Sequence, residues 1–175
     1  MARFVAFLRA VNVGRRRVDM ATACRVLEQL GHTGVESFVN SGNLLFDATG
    51  RTAALEKQIR TALEAEFGFE LTTFVRIRRQ VQALATDKPF GTIAAGHTHF
   101  VLLTLTPLGA AERKAVEALS NDLDEVRVVG RDVHWLIRDK SSNTSLTSSA
   151  WSKALPGNPS TARNVTMVER LVTKL

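Results

Sequence analysis

The chain has 175 residues, a net charge of +6 and a pI of about 10.2, with 45% hydrophobic and 23% charged residues. That balance suits a folded protein and excludes a disordered polymer. No apolar run approaches the ~20 residues that a membrane-spanning helix needs. The opening Met1–Arg9 segment lacks the long apolar stretch and small-residue cleavage site of a secretory signal. A single cysteine, Cys24, permits no internal disulfide, so a cytoplasmic protein is expected.

The positive charge invites a nucleic-acid reading, because Lys and Arg neutralise phosphates. Arginine dominates, however, in a chain rich in Ala and Val, which reads as compositional bias and solubility. The basic residues are dispersed, with two short clusters, Arg15–Arg17 and Arg76 with Arg78 and Arg79. Nucleic-acid binding is therefore carried as a weak alternative.

In chain order, Arg3–Arg9 is rich in Phe, Val and Leu and predicts a buried strand. A loop through Asn12, Gly14 and Arg15–Arg17 follows. Asp19 is placed to cap a helix, whose apolar stripe is Met20, Ala23, Leu27 and Leu30, with Gly31 as its stop. Val35–Val39 and Leu44–Phe46 predict two strands joined by a tight turn at Ser41-Gly42. Leu55, Ile59, Leu63 and Phe67 recur every four residues in a second helix ended by Gly68. Leu71–Ile77 predicts a fourth strand.

That order is the ferredoxin-like βαββαβ arrangement. A weaker copy follows a linker, residues 78–97, with a short helix around Val81 and Leu84. Phe100–Thr106 predicts a strand, Ala110–Leu119 a helix, Val126–Val129 and Val133–Ile137 a strand pair. A last helix carries Val165, Val168, Leu171 or Val172, and Leu175. The fold class expected is α+β, a ferredoxin-like half over 1–77 and a second such half over 98–175. The small-polar run Lys140–Ser149 reads as a mobile loop.

In a βαββαβ sheet the first and second strands run the same way, so the loops leaving them share one edge. That edge collects Arg9, Asn12, Gly14, Arg15–Arg17, Asn40, Ser41, Gly42 and Asn43. Arginine offers a planar fork of donors for carboxylate or phosphate, Asn and Ser add adaptable partners, and Gly admits a ligand close to the backbone. The same residues also serve as ordinary turn formers. Strand four runs opposite to strand one, which puts Arg76, Arg78 and Arg79 at the far edge.

Elsewhere the chemistry is sparse. His97 and His99 alternate without a third ligand at metal spacing, so no metal site and no cofactor are expected. His134 alternates with Val133, Trp135 and Ile137, and is read as pointing outward. Cys24 flanks an apolar stripe and reads as a small buried hydrophobe. No P-loop, dinucleotide fingerprint or nucleophile elbow is present. Thr161-Ala-Arg163-Asn164 leads into the last helix, where Arg163 and Asn164 stand either beside an anion at its N-terminus or as a bare cap and a surface arginine.

Three segments together carry a resemblance: Phe7-Leu-Arg9-Ala-Val-Asn12-Val-Gly14, Phe38-Val-Asn40-Ser41-Gly42-Asn43-Leu-Leu-Phe46, and Thr161-Ala-Arg163-Asn164 with Thr166. They resemble the signature of the bacterial family catalogued as domain of unknown function 1697, over Phe4 to Leu171. The resemblance implies a ferredoxin-like α+β fold and motif positions at Arg9, Asn12, Gly14, Ser41, Gly42, Asn43, Arg163 and Asn164. It implies no activity. The chain departs from the pattern at Ala10, where the family usually has Gly, and at Val165, where it usually has Trp. Thr144-Ser145-Leu146-Thr147 stands where the family tends to carry Ser-Lys-Leu or Ser-Lys-Phe followed by Thr.

The leading expectation is a module binding a small polar or anionic ligand, nucleotide-like, at the Arg9/Asn12/Ser41–Asn43 edge, with no membrane role. One alternative is an enzyme of phosphoester or acyl transfer with Arg9 and Arg163 stabilising charge, for which no nucleophile–base pair can be named. The others are nucleic-acid binding and a protein that simply oligomerises through an exposed sheet face.

Overall fold

The computed structural model describes residues 1–175. The chain forms two compact units, Met1–Gln82 with Leu171–Leu175, and Ala83–Arg170.

The first unit runs β1 (Ala2–Leu8), α1 (Met20–Gln29), β2 (Thr33–Ser37), β3 (Asn43–Ala48), α2 (Thr52–Phe67) and β4 (Thr73–Ile77). Its sheet has the order β2-β3-β1-β4, antiparallel throughout. This is the split βαβ arrangement that the sequence predicts. The helical stripes work as expected: Ala23 and Leu27 of α1, and Leu55, Ile59 and Leu63 of α2, pack with Phe4, Ala6, Leu8, Leu44 and Phe46 in one core. Each large side chain in that core contributes roughly 1.5–3 kcal/mol by leaving water. Asp19 caps α1, accepting from the Thr22 N–H at 2.9 Å, and Gly68 closes α2 in the left-handed conformation.

Two local expectations need correction. The β2–β3 connection is not a two-residue turn: the Phe38 N–H donates to the Asn43 carbonyl at 2.9 Å, closing a four-residue loop over Val39–Gly42. Arg76, counted in the sequence as part of a basic cluster, is fully buried on β4 with Glu56 of α2 at 3.7 Å. Glu56 also accepts from the Val75 N–H at 2.9 Å. The carboxylate of α2 thus accepts from one backbone N–H of the outer strand and pairs with that strand's arginine, a sensible cover for a sheet edge.

Helix α3 (Arg78–Thr86) follows β4 without a break, so much of the stretch expected as linker is helical. The second unit then repeats the pattern: β5 (Thr98–Thr104), α4 (Ala110–Glu117), β6 (Asp124–Val129), β7 (Asp132–Ile137), α5 (Ser148–Ala154) and β8 (Ser160–Asn164), followed by α6 (Val165–Val172). The strand order β6-β7-β5-β8 matches that of the first sheet. Val116 of α4 and Trp151 and Ala154 of α5 pack on Leu102, Val126, Val133, Trp135 and Ile137.

The run Lys140–Ser149 is therefore not a free loop. It contains a 3-10 turn at Ser141–Asn143 and the start of α5, capped by the Thr147 side chain. What fixes it is Asp124, fully buried on β6. Its carboxylate accepts from Trp135 Nε1 (2.9 Å), Thr144 Oγ1 (2.6 Å), Ser145 Oγ (2.7 Å) and the Ser145 N–H (3.0 Å). Burial works to raise this carboxyl's pKa, but the hydrogen bonds from Thr144, Ser145 and Trp135 outweigh it and hold the group below the ordinary aspartate value. The polar run packs through hydrogen bonds to one buried charge rather than through apolar area. No helix is long and apolar enough to cross a membrane.

Candidate functional site

The loops leaving β1 and β2 meet at one edge of the first sheet, as topology requires. Asn12 donates from Nδ2 to the Asn40 carbonyl at 3.1 Å, tying the β1–α1 loop to the β2–β3 loop. The Leu8 N–H donates to the Gly42 carbonyl at 2.7 Å, and the Arg9 N–H to Thr72 O at 2.9 Å. Both loops are thus clamped at their bases, while Arg9, Asn12, Arg15, Arg16, Asn40 and Ser41 stay exposed.

The expected site residues divide by role. Asn43 is wholly buried, and its Nδ2 donates to the Phe38 carbonyl (3.0 Å) and to Ser41 Oγ (2.8 Å); it builds the loop from beneath. Gly42 has φ +79°, and a Cβ there would lie 2.7 Å from Val11 Cγ1. Only glycine accepts both that backbone and that contact. Gly14 also has positive φ, +61°, but opens on empty space. Arg17 is turned back on its own loop, donating to the carbonyls of Gly14 and Arg16. Arg9, Asn12 and Ser41 are exposed at this edge, with Arg15 and Arg16 also exposed in the β1–α1 loop. The Arg16 guanidinium lies 5.6 Å from the centre of the Phe69 ring.

Positive φ at non-glycine residues occurs at Ala10 (+56°) and Val39 (+50°). One sits in each of the two tied loops. The conformation costs an L-residue roughly 1–2 kcal/mol, and for a β-branched valine it is an outlier. Such strain persists only where the surroundings over-determine it, and it gathers at functional sites.

Between the loops and α1 lies a shallow hollow of about 480 Å³, lined by Asn12, Val18, Asp19, Met20, Ala21, Ser37 and Asn40. Its lining offers amides, a hydroxyl and the Asp19 carboxylate, which hydrogen bonds from Thr22 hold below the ordinary aspartate pKa. Nothing in the sequence singled out Asp19 or Ser37 for this role, because Asp19 already had a sufficient reason to be there as a cap. The lining has no histidine, lysine or cysteine.

The remaining expected residues lie in the other unit. Arg163 does not stand exposed at a helix N-terminus. It lies in β8, paired in register with Val101 of β5, and is 8% exposed. Its Nη1 donates to Thr161 Oγ1 and the Ala162 carbonyl, each at 2.9 Å, and burial lowers its pKa to about 10. Asn164 does act as a cap, its Oδ1 accepting from the Thr166 N–H at 2.9 Å. His134 is on the sheet face expected, yet it is only 1% exposed. His99 Nε2 lies 3.0 Å from His134 Nδ1. Burial lowers both imidazole pKa values to about 4, helped at His99 by the neighbouring His134.

Residues 1–134 match the model of the family described as protein of unknown function (DUF1697). The chain belongs to that family. The DUF1697 match takes in Arg9 through Asn43 and ends before Arg163 and Asn164. This DUF1697 member also resembles, at a TM-score of 0.74, the structure of a conserved bacterial protein from Streptococcus pneumoniae. The two are 23% identical, over 100% of this chain and 98% of that one. At that identity the likeness concerns the fold. No curated protein matches the chain.

Proposed function

We propose that this protein is a cytoplasmic binding module for a small anionic ligand of nucleotide-like type, held at the edge where the β1–α1 and β2–β3 loops meet. The observation that carries the reading is the strain at Ala10 and Val39 in two loops that the Asn12–Asn40 hydrogen bond joins. Backbone held in a costly conformation in both of the joined loops favours a recognition surface over a pair of plain turns.

The chemistry of the edge suggests how a ligand divides. Asn12, Ser37 and Asp19 in the hollow suit the hydroxyls of a sugar, since a carboxylate accepts from paired hydroxyls as it does from a ribose. Arg9, Arg15 and Arg16, exposed beside it, suit a phosphate, for which a guanidinium supplies a planar pair of donors. A free anion without hydroxyls would meet Asp19 with nothing to offer it.

A thermal-shift screen of nucleoside monophosphates, sugar phosphates and matched neutral nucleosides tests the reading. Phosphorylated ligands should stabilise the wild type, and an Arg9→Ala, Asn12→Ala double variant should lose the shift. Equal shifts in both proteins would remove the site. Binding of mixed single-stranded RNA that falls steeply with salt, in the absence of any response to mononucleotides, would transfer the same arginines to a nucleic-acid role.

A further inference from the structure

The second unit holds a cavity of its own, of about 350 Å³, between the loop after α3, the start of β5 and the first turns of α6. The loop is anchored over the sheet. The Phe90 ring meets His99 edge-on at 5.2 Å, and the Arg127 guanidinium covers Phe90 at 5.3 Å and donates to the Pro89 carbonyl. The cavity wall is therefore built rather than incidental.

Its lining carries both signs of charge. Asp87 and Lys88 come from the loop and Glu169 from α6. None of the three closes an ion pair or makes a side-chain hydrogen bond within the chain. Thr166 and Asn164 line the same space, joined by the hydrogen bond from the Thr166 N–H to Asn164 Oδ1. His99 contributes a neutral ring whose direction is set by its contact with His134.

We propose that this cavity binds a small zwitterion, an amino acid or a dipeptide, with the ammonium between Asp87 and Glu169 and the carboxylate at Lys88 and the Thr166 hydroxyl. A simple anion would face two carboxylates, and a simple cation would leave Lys88 opposed to it. A dipolar molecule is the ligand class that answers all three charges together. The volume lies at the small end for ligand sites, which limits the occupant to roughly one or two residues.

The test uses diglycine as probe on the full chain, followed by amide NMR shifts. N-acetylglycine, which lacks the ammonium, and glycinamide, which lacks the carboxylate, serve as its two halves. Diglycine should move the amides of Asn164, Thr166 and Glu169, with each half binding about tenfold more weakly or worse. An Asp87→Asn, Glu169→Gln double variant keeps the size and surface placement of both side chains and should weaken diglycine by a similar factor. Arg9→Ala should leave it unchanged, which separates this site from the N-terminal edge. N-acetylglycine binding as tightly as diglycine, or no response of Asn164–Glu169 to millimolar diglycine, would overturn the assignment.

Discussion

The Nδ2 of Asn12 donates to the main-chain carbonyl of Asn40 at 3.1 Å, so two loops distant in sequence behave as one surface. A side-chain hydrogen bond of this kind is worth about 0.5–1.5 kcal/mol. Asn12→Ala should cost that much stability and, more tellingly, speed hydrogen exchange at Asn40–Gly42 while leaving α2 unchanged. Unaltered exchange in the β2–β3 loop would mean that the tether does not restrain it.

Ala10 and Val39 allow strain and function to be separated. The left-handed conformation costs each roughly 1–2 kcal/mol, and glycine returns about 0.5–1 of that through the greater freedom of the unfolded chain. Ala10→Gly or Val39→Gly should therefore gain about 0.5–1 kcal/mol, raising Tm by roughly 1–4 °C in a chain of this size. Loosening the loops should at the same time weaken ligand binding at the edge. A fall in Tm for either variant would show that its backbone is not strained.

Two glycines of similar φ should respond very differently to alanine. At Gly42 the new methyl lies 2.7 Å from Val11 Cγ1 and 3.0 Å from Leu8 Cβ, so overpacking of about 1–3 kcal/mol adds to the conformational cost. At Gly14 it meets nothing within 4 Å, leaving only the backbone cost of ~1–2 kcal/mol. Urea unfolding should rank Gly42→Ala well below Gly14→Ala; equal midpoints would contradict the packing described.

Asp124 makes the second unit pH-sensitive. Burial acts to raise its pKa, but hydrogen bonds from Thr144, Ser145 and Trp135 give a net depression, so the unfolded chain binds its proton more readily than the folded one. The stabilisation is present above the ordinary aspartate pKa and is lost as pH falls through the depressed folded value. Asp124→Ala strands the Trp135, Thr144 and Ser145 donors, at about 1–3 kcal/mol for each one left buried. Urea midpoints from neutral to strongly acidic pH should fall less steeply in the variant than in the wild type.

His99 and His134, with pKa values lowered to about 4 by burial, act in the same direction. Both are neutral when folded near neutral pH, whereas the unfolded imidazoles take up protons as the pH drops below the ordinary histidine range. Their contribution is present above that range and declines as pH falls from there towards about 4. An NMR titration should show both rings unprotonated at pH 6; a transition near the ordinary histidine value would contradict the burial of the pair.

How much of this was legible in the sequence depends on the residue. Helices α1 and α2 were readable because Ala23, Leu27, Leu55, Ile59 and Leu63 mark a stripe at helical spacing. Topology alone places Arg9, Asn12 and Ser41 on one edge. Helix α5 and strand β8 were not readable. Apart from Ala150, Trp151 and Ala154, α5 has little apolar patterning, and its approach is held by Asp124, twenty residues distant from Thr144. In β8 the Ser-Thr-Ala-Arg-Asn sequence lacks β alternation, because an edge strand with a buried arginine owes its place to pairing with β5. The second half as predicted lacked a fourth strand, and repetition of the first half's order was the one signal that pointed to it. Cavity chemistry around Asp87, Lys88 and Glu169 left no sequence trace, since nothing in their spacing brings α6 to the loop after α3.

The joined loops, as proposed, form a ligand surface. Titrating adenosine monophosphate into the isotopically labelled protein, and following its backbone amides, tests that most directly. Saturable shifts should concentrate in Arg9–Arg17 and Asn40–Asn43, and Arg9→Ala with Asn12→Ala should abolish them. Shifts confined to other segments, or none at millimolar nucleotide, would contradict it.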